Sequence, residues 1–565
     1  MRKTIIVLIL LIGLSFPVVA GGLFTNTNQS ALWVRMLVRD AATGVDAVYY
    51  NPAGLAKLNN GFHLSLNNQF ITQTKDVTNS LPTLHDGFYR GDVKAPVFPG
   101  LYAVFKKNKW AVSFGFNPVG GGGGATYDRG LPSFEMDISG LVPQLSGLSA
   151  LGLNVTDYSA DIFFEGTSVF FGAQLGVTYA INDMISVFAG GRYILANNSY
   201  EGYLKNISVT ANGEEHRADW WLINAAVPTV NGAATQATVG AGSATGAANA
   251  MQPLIDGGYG GMTFAEAEGA TVINSDTRAL LEGGLIALGF TQPQVDAMTL
   301  QVAQGSYTGA AAQLTTLAAQ LTATSTVLTG TASQLADKEV ETKQKGTGIT
   351  PVFGIHFQPT DNLAIAVKYE HHTKIELTNE TKHDDVNMFP DDAKVRSDMP
   401  GMLSVGVNYS PLSKLTLAGG LHYYFDKPAY YGKYEVDVEG NPVIDDDGVS
   451  WVMVNNEDYI DKGYMEYGLG IEYGLMNKLD VSLGFLRAVP GVKDNYQTDL
   501  SYGLTSSTVS GGFTYRLSDM IGLTLGVGYS FYEDQTLDYT HDLGDYTQKY
   551  EKANTFVGFG VDLHF

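Results

Sequence analysis

A two-residue hydrophobic alternation that recurs along most of the chain constrains the fold most strongly. In residues 521–531 the odd positions carry large apolar side chains, whereas the even positions carry only glycine, threonine and serine. Successive side chains of a β-strand point to opposite faces, so this pattern predicts a strand with one apolar face and one small or polar face. Residues 362–377 repeat the pattern.

Two folds produce such strands: a half-exposed sheet in a soluble protein, or a membrane barrel with lipid outside and water inside. The apolar faces here are large and end in aromatic residues, which favours the barrel. Composition agrees, since 45% of residues are hydrophobic and 16% are charged, against roughly 25% charged in soluble domains.

Segments of this type repeat along the chain, with short turns rich in Asn, Asp, Pro and Ser alternating with long connections. We count about fourteen strands, an even number that puts both barrel ends on the periplasmic side. The sequence therefore predicts an all-β fold, a transmembrane antiparallel β-barrel. The predicted strands are 61–75, 96–106, 109–118, 161–179, 184–203, 347–357, 363–379, 399–409, 414–426, 463–474, 478–488, 502–516, 521–533 and 554–565.

The first residues predict export. Arg2 and Lys3 precede a short apolar run, and Ala20 provides a small residue at a cleavage site. This is typical of a signal peptide, because the apolar run falls short of the ~20 residues that span a bilayer. We assign residues 1–20 to the signal peptide, 21–60 to an N-terminal plug, and 61–565 to the barrel, with a large loop at 210–345.

Several function classes are disfavoured. The chain has no cysteine, which excludes disulfides and thiolate chemistry, and a net charge of −23, which disfavours nucleic-acid binding. It carries no Gly-x-Ser-x-Gly, His-Glu-x-x-His or dinucleotide-binding motif. We therefore predict no enzyme activity, no cofactor and no metal.

A motif before the first strand suggests a family. Residues 46–55 read Asp-Ala-Val-Tyr-Tyr-Asn-Pro-Ala-Gly-Leu, which resembles the N-terminal hatch of the long-chain fatty-acid transporter family of outer-membrane proteins, the FadL and TodX type. Residues 116–120, 357–363 and 399–409 fit the same family. The resemblance implies a hatch motif formed by Asn51, Pro52, Ala53 and Gly54.

The width of the predicted barrel also indicates a plug. A barrel of roughly fourteen strands is too wide for its own side chains to fill, and residues 21–60 are the spare segment on the periplasmic side. We expect Asn51, Pro52 and Ala53 to form a compact turn that anchors the plug to the wall. The ligand would contact apolar plug residues, with Leu32, Met36, Tyr49 and Tyr50 as candidates.

Strand three ends in an unusual way, with Pro118 followed by five glycines at 120–124. No Lys-Ser or Lys-Thr follows, so this is not a phosphate-binding loop. One interpretation is the flexible start of a loop. The other, which the resemblance supports, is a kinked strand that loses its hydrogen bonds at 117–120 and opens a lateral gap. The candidate residues are Phe116, Asn117, Pro118, Gly120 and Gly122.

Some charged residues lie at positions that the alternation places on the inner face of the barrel. They include Arg192, Lys368, Glu370 and Asp562. Such charges are commonly solvated or paired, but a cation in the lumen can also neutralise a fatty-acid carboxylate. Arg192 and Lys368 are the candidates for that role.

The loop at 210–345 is rich in Ala, Thr, Gly and Gln, which is consistent either with disorder or with a helical cap over the extracellular mouth. Helix-start signals and leucine spacing favour helices at 277–288, 292–304 and 314–335. Acidic clusters at 384–392 and 445–447 lack the spacing of a calcium loop, so we interpret them as solvated loops.

The chain ends in a strand that closes on Phe565, which resembles the signal that outer-membrane barrels present to their assembly machinery. Together these features predict passive transport of long-chain fatty acids or similar lipophiles, with outer-membrane lipids as surroundings. A ligand-binding or adhesin-like barrel and a general porin remain the alternatives. The sequence leaves the cargo and the oligomeric state open.

Overall fold

The computed structural model describes residues 23–435, 443–445, 448–454 and 456–565. The predicted signal peptide, Gly21 and Gly22, and Asp446 and Asp447 of one acidic cluster lie outside these residues. Within them, eighteen strands form a single sheet in which β1 pairs with both β2 and β18, so the sheet closes on itself. The strands are β1 (Gly61–Asn79), β2 (Phe88–Lys107), β3 (Trp110–Tyr127), β4 (Val155–Ala180), β5 (Ile185–Ala211), β6 (Glu214–Arg217), β7 (Lys338–Thr360), β8 (Leu363–Glu370), β9 (Glu376–Asp384), β10 (Lys394–Arg396), β11 (Gly401–Leu412), β12 (Leu415–Phe425), β13 (Met465–Met476), β14 (Leu479–Val489), β15 (Ser506–Arg516), β16 (Ile521–Tyr532), β17 (Gln535–His541) and β18 (Gly544–His564).

The predicted antiparallel barrel is confirmed. In the described residues β6, β9, β10 and β17 are additional strands, and the other fourteen form the wall. Several predicted strands were too short at the end far from the short turns, as in β18, which begins at 544 and not at 554. The outer face of that extension carries Lys549 and Glu551, so the apolar alternation disappears although the ladder continues.

Strand seven of the barrel departs from the prediction of one element at 363–379. It is divided into β8 and β9, and the neighbouring strand is divided into β10 and β11. β8 pairs with β11, β9 pairs with β10, and Thr373 bridges Met399 between the two halves. Pairing between these two divided strands therefore continues across the break, whereas β7 has no ladder partner on this side between Lys345 and Val352.

The plug consists of residues 23–60. It contains two short α-helices, α1 (Ala31–Val34) and α2 (Ala47–Tyr50), and a 3-10 helix, Pro52–Lys57. Ser30 caps α1, since its hydroxyl accepts a hydrogen bond from Trp33 N at 3.0 Å. Asp46 then forms a two-pronged ion pair with Arg39, with both N–O distances at 2.8 Å. These contacts fix the plug as a folded unit.

Glycines on the inner wall make room for the plug. A Cβ at Gly484 would lie 2.2 Å from Met36 O, and a Cβ at Gly526 would lie 2.6 Å from Arg35 N. Real Cβ atoms do not approach so closely, so only glycine permits this contact. The small inward residues that we interpreted as a water-facing surface therefore face the plug backbone at these positions.

Beyond the plug, the described part of the barrel unit contains α3 (Pro132–Ser139) and the 3-10 helices Asn456–Asp458 and Asp494–Tyr496. A second compact unit comprises 141–160 and 206–337. Its helices are α4 (Leu141–Leu145), α5 (Ala218–Trp221), α6 (Val227–Leu254), α7 (Phe264–Gly269), α8 (Ser275–Ala287), α9 (Gln292–Asp296) and α10 (Leu300–Gln334). No helix in the part of the chain that the structure describes is both long and apolar enough to cross a membrane.

The helical interpretation of the large loop is thus confirmed, although its details differ. The predicted helix at 277–288 matches α8, while the predicted helices at 292–304 and 314–335 correspond to α9 and the single long α10. The helix α6 was missed, because its glycine and threonine content hides the helical period. Thr235, Thr238 and Thr245 each donate to the carbonyl four residues earlier, which satisfies their hydroxyls within the helix.

Candidate functional site: an interrupted seam in the barrel wall

The ladder between β2 and β3 is interrupted. It runs regularly from the Lys107–Trp110 pair to the Leu101–Phe116 pair, and it resumes only at the Val93–Ala125 pair. Between these points, 94–100 and 117–124 have no partners across the seam. Three prolines fall in the stretch, Pro96 and Pro99 on β2 and Pro118 on β3, and none can donate a backbone hydrogen bond.

On its other side β3 remains paired. It follows β4 to the Tyr127–Phe164 pair, with register shifts after Pro118 and after Gly121. Gly121 has a φ of +73°, a conformation that favours glycine. The glycine run, including Gly120 and Gly122, is therefore part of a bulged strand, and its interpretation as a loop start was wrong.

The plug covers the interruption from inside through its first described residues. Asn26 N donates to Val119 O at 2.8 Å, and Gly121 N donates to Phe24 O at 3.2 Å. The Asn26 side-chain amide donates to Gly121 O at 2.7 Å. These residues, 24–29, form what we call the N-terminal segment, which supplies partners to the β3 backbone where β2 does not.

The far end of the N-terminal segment is also held. The Gln29 side chain donates to Pro118 O at 2.7 Å, and the Tyr102 hydroxyl donates to Gln29 O at 2.9 Å. A Cβ at Gly100 or at Gly120 would lie 2.7 Å from a carbonyl oxygen of the segment. Both glycines therefore accommodate the segment, and a side chain there would displace it.

Two further residues predicted at the gap lie beside it. Phe116 is half-buried, and its ring stacks on that of Phe171 with centroids 5.6 Å apart. Asn117 is buried, and its amide nitrogen has no hydrogen-bond partner among the described residues. The predicted lateral opening itself remains a prediction.

The hatch motif forms a turn against the wall. Gly54 N donates to Asn51 O at 2.8 Å, and the Asn51 side-chain amide lies 2.9 Å from His356 Nδ1 on β7. A Cβ at Gly54 would lie 2.3 Å from Ala42 O, so the turn requires glycine there.

Wall hydroxyls bind the carbonyls of the same turn. Thr178 donates to Pro52 O and Ser186 donates to Ala53 O, each at 2.7 Å. The turn thus contacts β4, β5 and β7 through hydrogen bonds.

Tyr49 and Tyr50 connect the motif to the N-terminal segment. Their hydroxyls donate to Asn26 O at 2.7 Å and to Thr27 O at 2.9 Å. Burial raises the pKa of the Tyr50 hydroxyl well above its usual value, so this group stays protonated. Because both rings are buried, they hold the plug together in this state and do not present an open ligand surface.

Arg192 and Lys368, the predicted carboxylate ligands, are brought together but are already paired. Arg192 contacts Glu370 at 2.5 and 3.0 Å, and Lys368 Nζ lies 2.8 Å from the same carboxylate. Both cations also lie over the Tyr49 ring, at 5.0 and 4.6 Å from its centroid. In this arrangement Glu370 occupies the place of a ligand carboxylate, which favours the paired alternative.

The other two predicted ligand contacts lie elsewhere on the plug. Leu32 is half-buried, and Met36 packs against the wall, where a Cβ at Gly470 would lie 2.7 Å from Met36 Cγ. The sequence placed these residues on the plug but could not show which side of it each one faces.

A polar network between plug and wall was missed. Asp40 of the plug lies 2.5 Å from His422 Nε2, and His422 Nδ1 lies 2.9 Å from Glu466. The Tyr424 hydroxyl donates to Glu466 at 3.0 Å. His422, Tyr424 and Glu466 share the inward parity, so alternation could have flagged them, but nothing in the sequence indicates Asp40 as their partner.

An apolar pocket lies within the barrel unit, where α3 meets the far ends of β4, β5 and β7. It is lined by Phe134, Phe163, Phe164, Tyr200, Gly202, Tyr203, Leu204, Lys338, Glu339, Val340, Val386 and Met388.

Comparison with known proteins identifies this architecture. A solved FadL homologue from Pseudomonas aeruginosa aligns over 98% of this chain and 100% of its own, with 11% identity and a TM-score of 0.53. The fold is that of this FadL homologue. The resemblance predicted from the hatch motif is thus confirmed at the level of the fold.

Two more distant similarities are with named transporters. The toluene transporter TodX of P. putida aligns over 94% of this chain and 98% of its own, with 13% identity and a TM-score of 0.47. TbuX, a toluene transporter of Ralstonia pickettii, aligns over 92% and 94%, with 13% identity and a TM-score of 0.43. No protein-family model matches the chain, and no curated protein does.

Proposed function

We propose that this FadL-like barrel lies in the outer membrane and carries hydrophobic small molecules inward without an energy source. The observation that carries the proposal is the β2–β3 seam, whose ladder is interrupted and whose inner side is covered by a short plug segment. A wall with unpaired backbone is costly against lipid unless a partner satisfies it. The N-terminal segment is such a partner, and it is small enough to move.

The route begins at the apolar pocket. Its lining is mainly aromatic and aliphatic, which suits a lipophile that leaves water. From there the ligand enters the lumen beside the plug. Phe24 lies between Tyr431 and Phe170, with ring centroids 4.5 and 6.3 Å away. Its withdrawal would leave an aromatic-lined space next to the seam.

The exit is sideways through the seam into the bilayer. A lipophile gains nothing from crossing a watery compartment, because its apolar surface would be exposed to water again. Movement of residues 24–29 is sufficient for this route, and the hatch turn can stay bound to Thr178, Ser186 and His356. Residues 24–29 of the hatch therefore act as the gate.

The absence of cysteine from the sequence allows a direct test. Val97 lies in the unpaired stretch of β2 and is 70% exposed on the outer face. We expect Val97→Cys, labelled with a bulky maleimide, to slow uptake of an apolar dye into liposomes that contain the purified barrel. The label would obstruct the outer mouth of the seam.

The matched control is Val527→Cys with the same label, since Val527 is 52% exposed on the outer face of β16, where the ladder is regular. Unlabelled Val97→Cys should transport normally. If labelled Val97→Cys and labelled Val527→Cys transport at the same rate, the lateral route is wrong and the ligand passes through the hatch.

A further inference from the structure

Two buried lysines face each other on the inner wall where the first and last strands meet. Lys75 of β1 and Lys552 of β18 are direct ladder partners, and they are 0% and 7% exposed. Both belong to the inward parity of their strands. Like charges directly opposite each other in an antiparallel pair are destabilising, so this pairing needs a reason.

Neither lysine has a counter-ion in the part of the chain that the structure describes. In the described residues Lys75 Nζ has no hydrogen-bond partner, and Lys552 Nζ donates to the backbone oxygen of Tyr502. No carboxylate in that part of the chain pairs with either, although the sequence contains 57 acidic residues. A buried ammonium group without a counter-ion is costly, so this pair of side chains favours an anionic ligand.

Neighbouring polar groups are also unsatisfied. Asn554 lies two residues along β18 on the same face, and both polar atoms of its side chain lack partners in the described structure. Lys75 has Gly91 as its partner on β2, where a Cβ would lie 2.4 Å from the Tyr127 ring. The Tyr127 hydroxyl likewise has no partner there. Unsatisfied polar side chains of β18 and β3 thus lie next to the lysine pair.

Apolar side chains flank this polar belt on both sides. The Ile71–Phe556 pair lies on one side and the Val77–Tyr550 pair on the other, all on the inward faces. The Phe556 ring is 6.2 Å from that of Trp33 in the plug. A ligand with a charged head and an apolar tail matches this sequence of polar and apolar surfaces.

We propose that Lys75 and Lys552 bind the carboxylate of a lipophilic acid, with Asn554 and Tyr127 as further hydrogen-bond donors and the tail against Ile71 and Phe556. This inference rests on the proposed transport function and names its ligand class. It also replaces the sequence-based assignment to Arg192 and Lys368, whose charges Glu370 already neutralises.

The test compares palmitate with methyl palmitate on the purified full-length mature barrel in a neutral detergent. The two probes share a tail, and only palmitate carries the charge. We expect the wild type to bind palmitate more tightly, and the double variant Lys75→Met, Lys552→Met to lose about tenfold or more in palmitate affinity. Its affinity for methyl palmitate should not change.

Two further variants keep the test interpretable. Lys549→Met removes a lysine from the outer face of β18, where Lys549 pairs with Asp534 at 3.0 Å, and should leave both affinities unchanged. Lys552→Arg keeps the positive charge and should retain the preference for palmitate. The melting temperature of the double variant should not fall, because it removes two buried charges that lack a counter-ion among the described residues.

The outcomes separate this inference from the transport proposal. Equal affinities of the wild type for acid and ester would overturn the carboxylate site while leaving a barrel that binds lipophiles. No binding of either probe would count against the proposed function itself. If inorganic phosphate raises the melting temperature only when both lysines are present, and palmitate is not preferred, the site holds a free anion and the inference is wrong.

Discussion

Two seams of the same barrel differ sharply. The β1–β18 seam, which closes the sheet, pairs every residue from His63 to Asn79 without a register shift. The β2–β3 seam loses its ladder between Leu101 and Val93. Both seams join antiparallel strands of similar length, so length does not explain the difference.

Backbone chemistry explains it. No proline lies in the paired part of β1 or β18, whereas three prolines and six glycines lie in the interrupted part of β2 and β3. Prolines remove donors, and glycines permit the positive φ and the close approach of the plug. The closing seam satisfies its own backbone, and the interrupted seam depends on residues 24–29.

Removing the plug should have the largest effect. Deletion of residues 21–60 takes away the partner of the interrupted seam and uncovers the glycines of the inner wall, while the β1–β18 ladder stays complete. We expect a folded barrel with a large, steady conductance in planar bilayers, whereas the full-length mature protein conducts little. Unchanged conductance after the deletion would show that residues 21–60 do not occlude the lumen. High conductance of the full-length protein would favour a general porin.

An engineered disulfide separates movement of the segment from movement of the whole plug. A Cβ at Gly354 would lie 3.6 Å from Ala53 Cβ, within the roughly 3.5–4.5 Å range of disulfides. We expect Ala53→Cys with Gly354→Cys, once oxidised, to transport an apolar dye into liposomes at nearly the wild-type rate.

The reduced form of the same variant is the control, because it differs only in the bond. If oxidation stops uptake and reduction restores it, the hatch turn itself must leave the wall. The ligand would then pass through the hatch, and the interrupted seam would be a structural irregularity.

The smallest expected effect comes from one hydrogen bond. Asn26→Ala removes the side-chain contact with Gly121 O, a change of about 1 kcal/mol. We expect faster hydrogen exchange at Gly121, by roughly fivefold, and a modest increase in dye uptake.

Asn408→Ala is the matched control, since Asn408 donates to Ala41 O at 3.1 Å and so joins plug and wall away from the seam. It should leave exchange at Gly121 unchanged. Equal effects of both variants would mean that the whole plug loosens and that residues 24–29 do not move separately.

The sequence alone determined the barrel, the number of wall strands and the existence of a plug. Alternation reports directly which side of a strand faces lipid, and the signal is strong where the outer face is apolar, as in β16. It fades where strands extend beyond that apolar region, which is why the start of β18 was misplaced. Helices rich in threonine and glycine, such as α6, lack a clear period, so the sequence did not reveal that helix.

The tertiary structure decided what each inward residue faces. Parity placed Arg192, Lys368 and Glu370 on the same surface, but only folding brings them within bonding distance of one another. The same parity rule applies to Lys75 and Lys552, which meet without an acid. The two-residue alternation shows which face of the wall a side chain points to. Which partner that side chain meets depends on strand register and on a plug that is far away in sequence. Whether a buried charge is satisfied or waiting for a ligand was therefore a property of the tertiary structure.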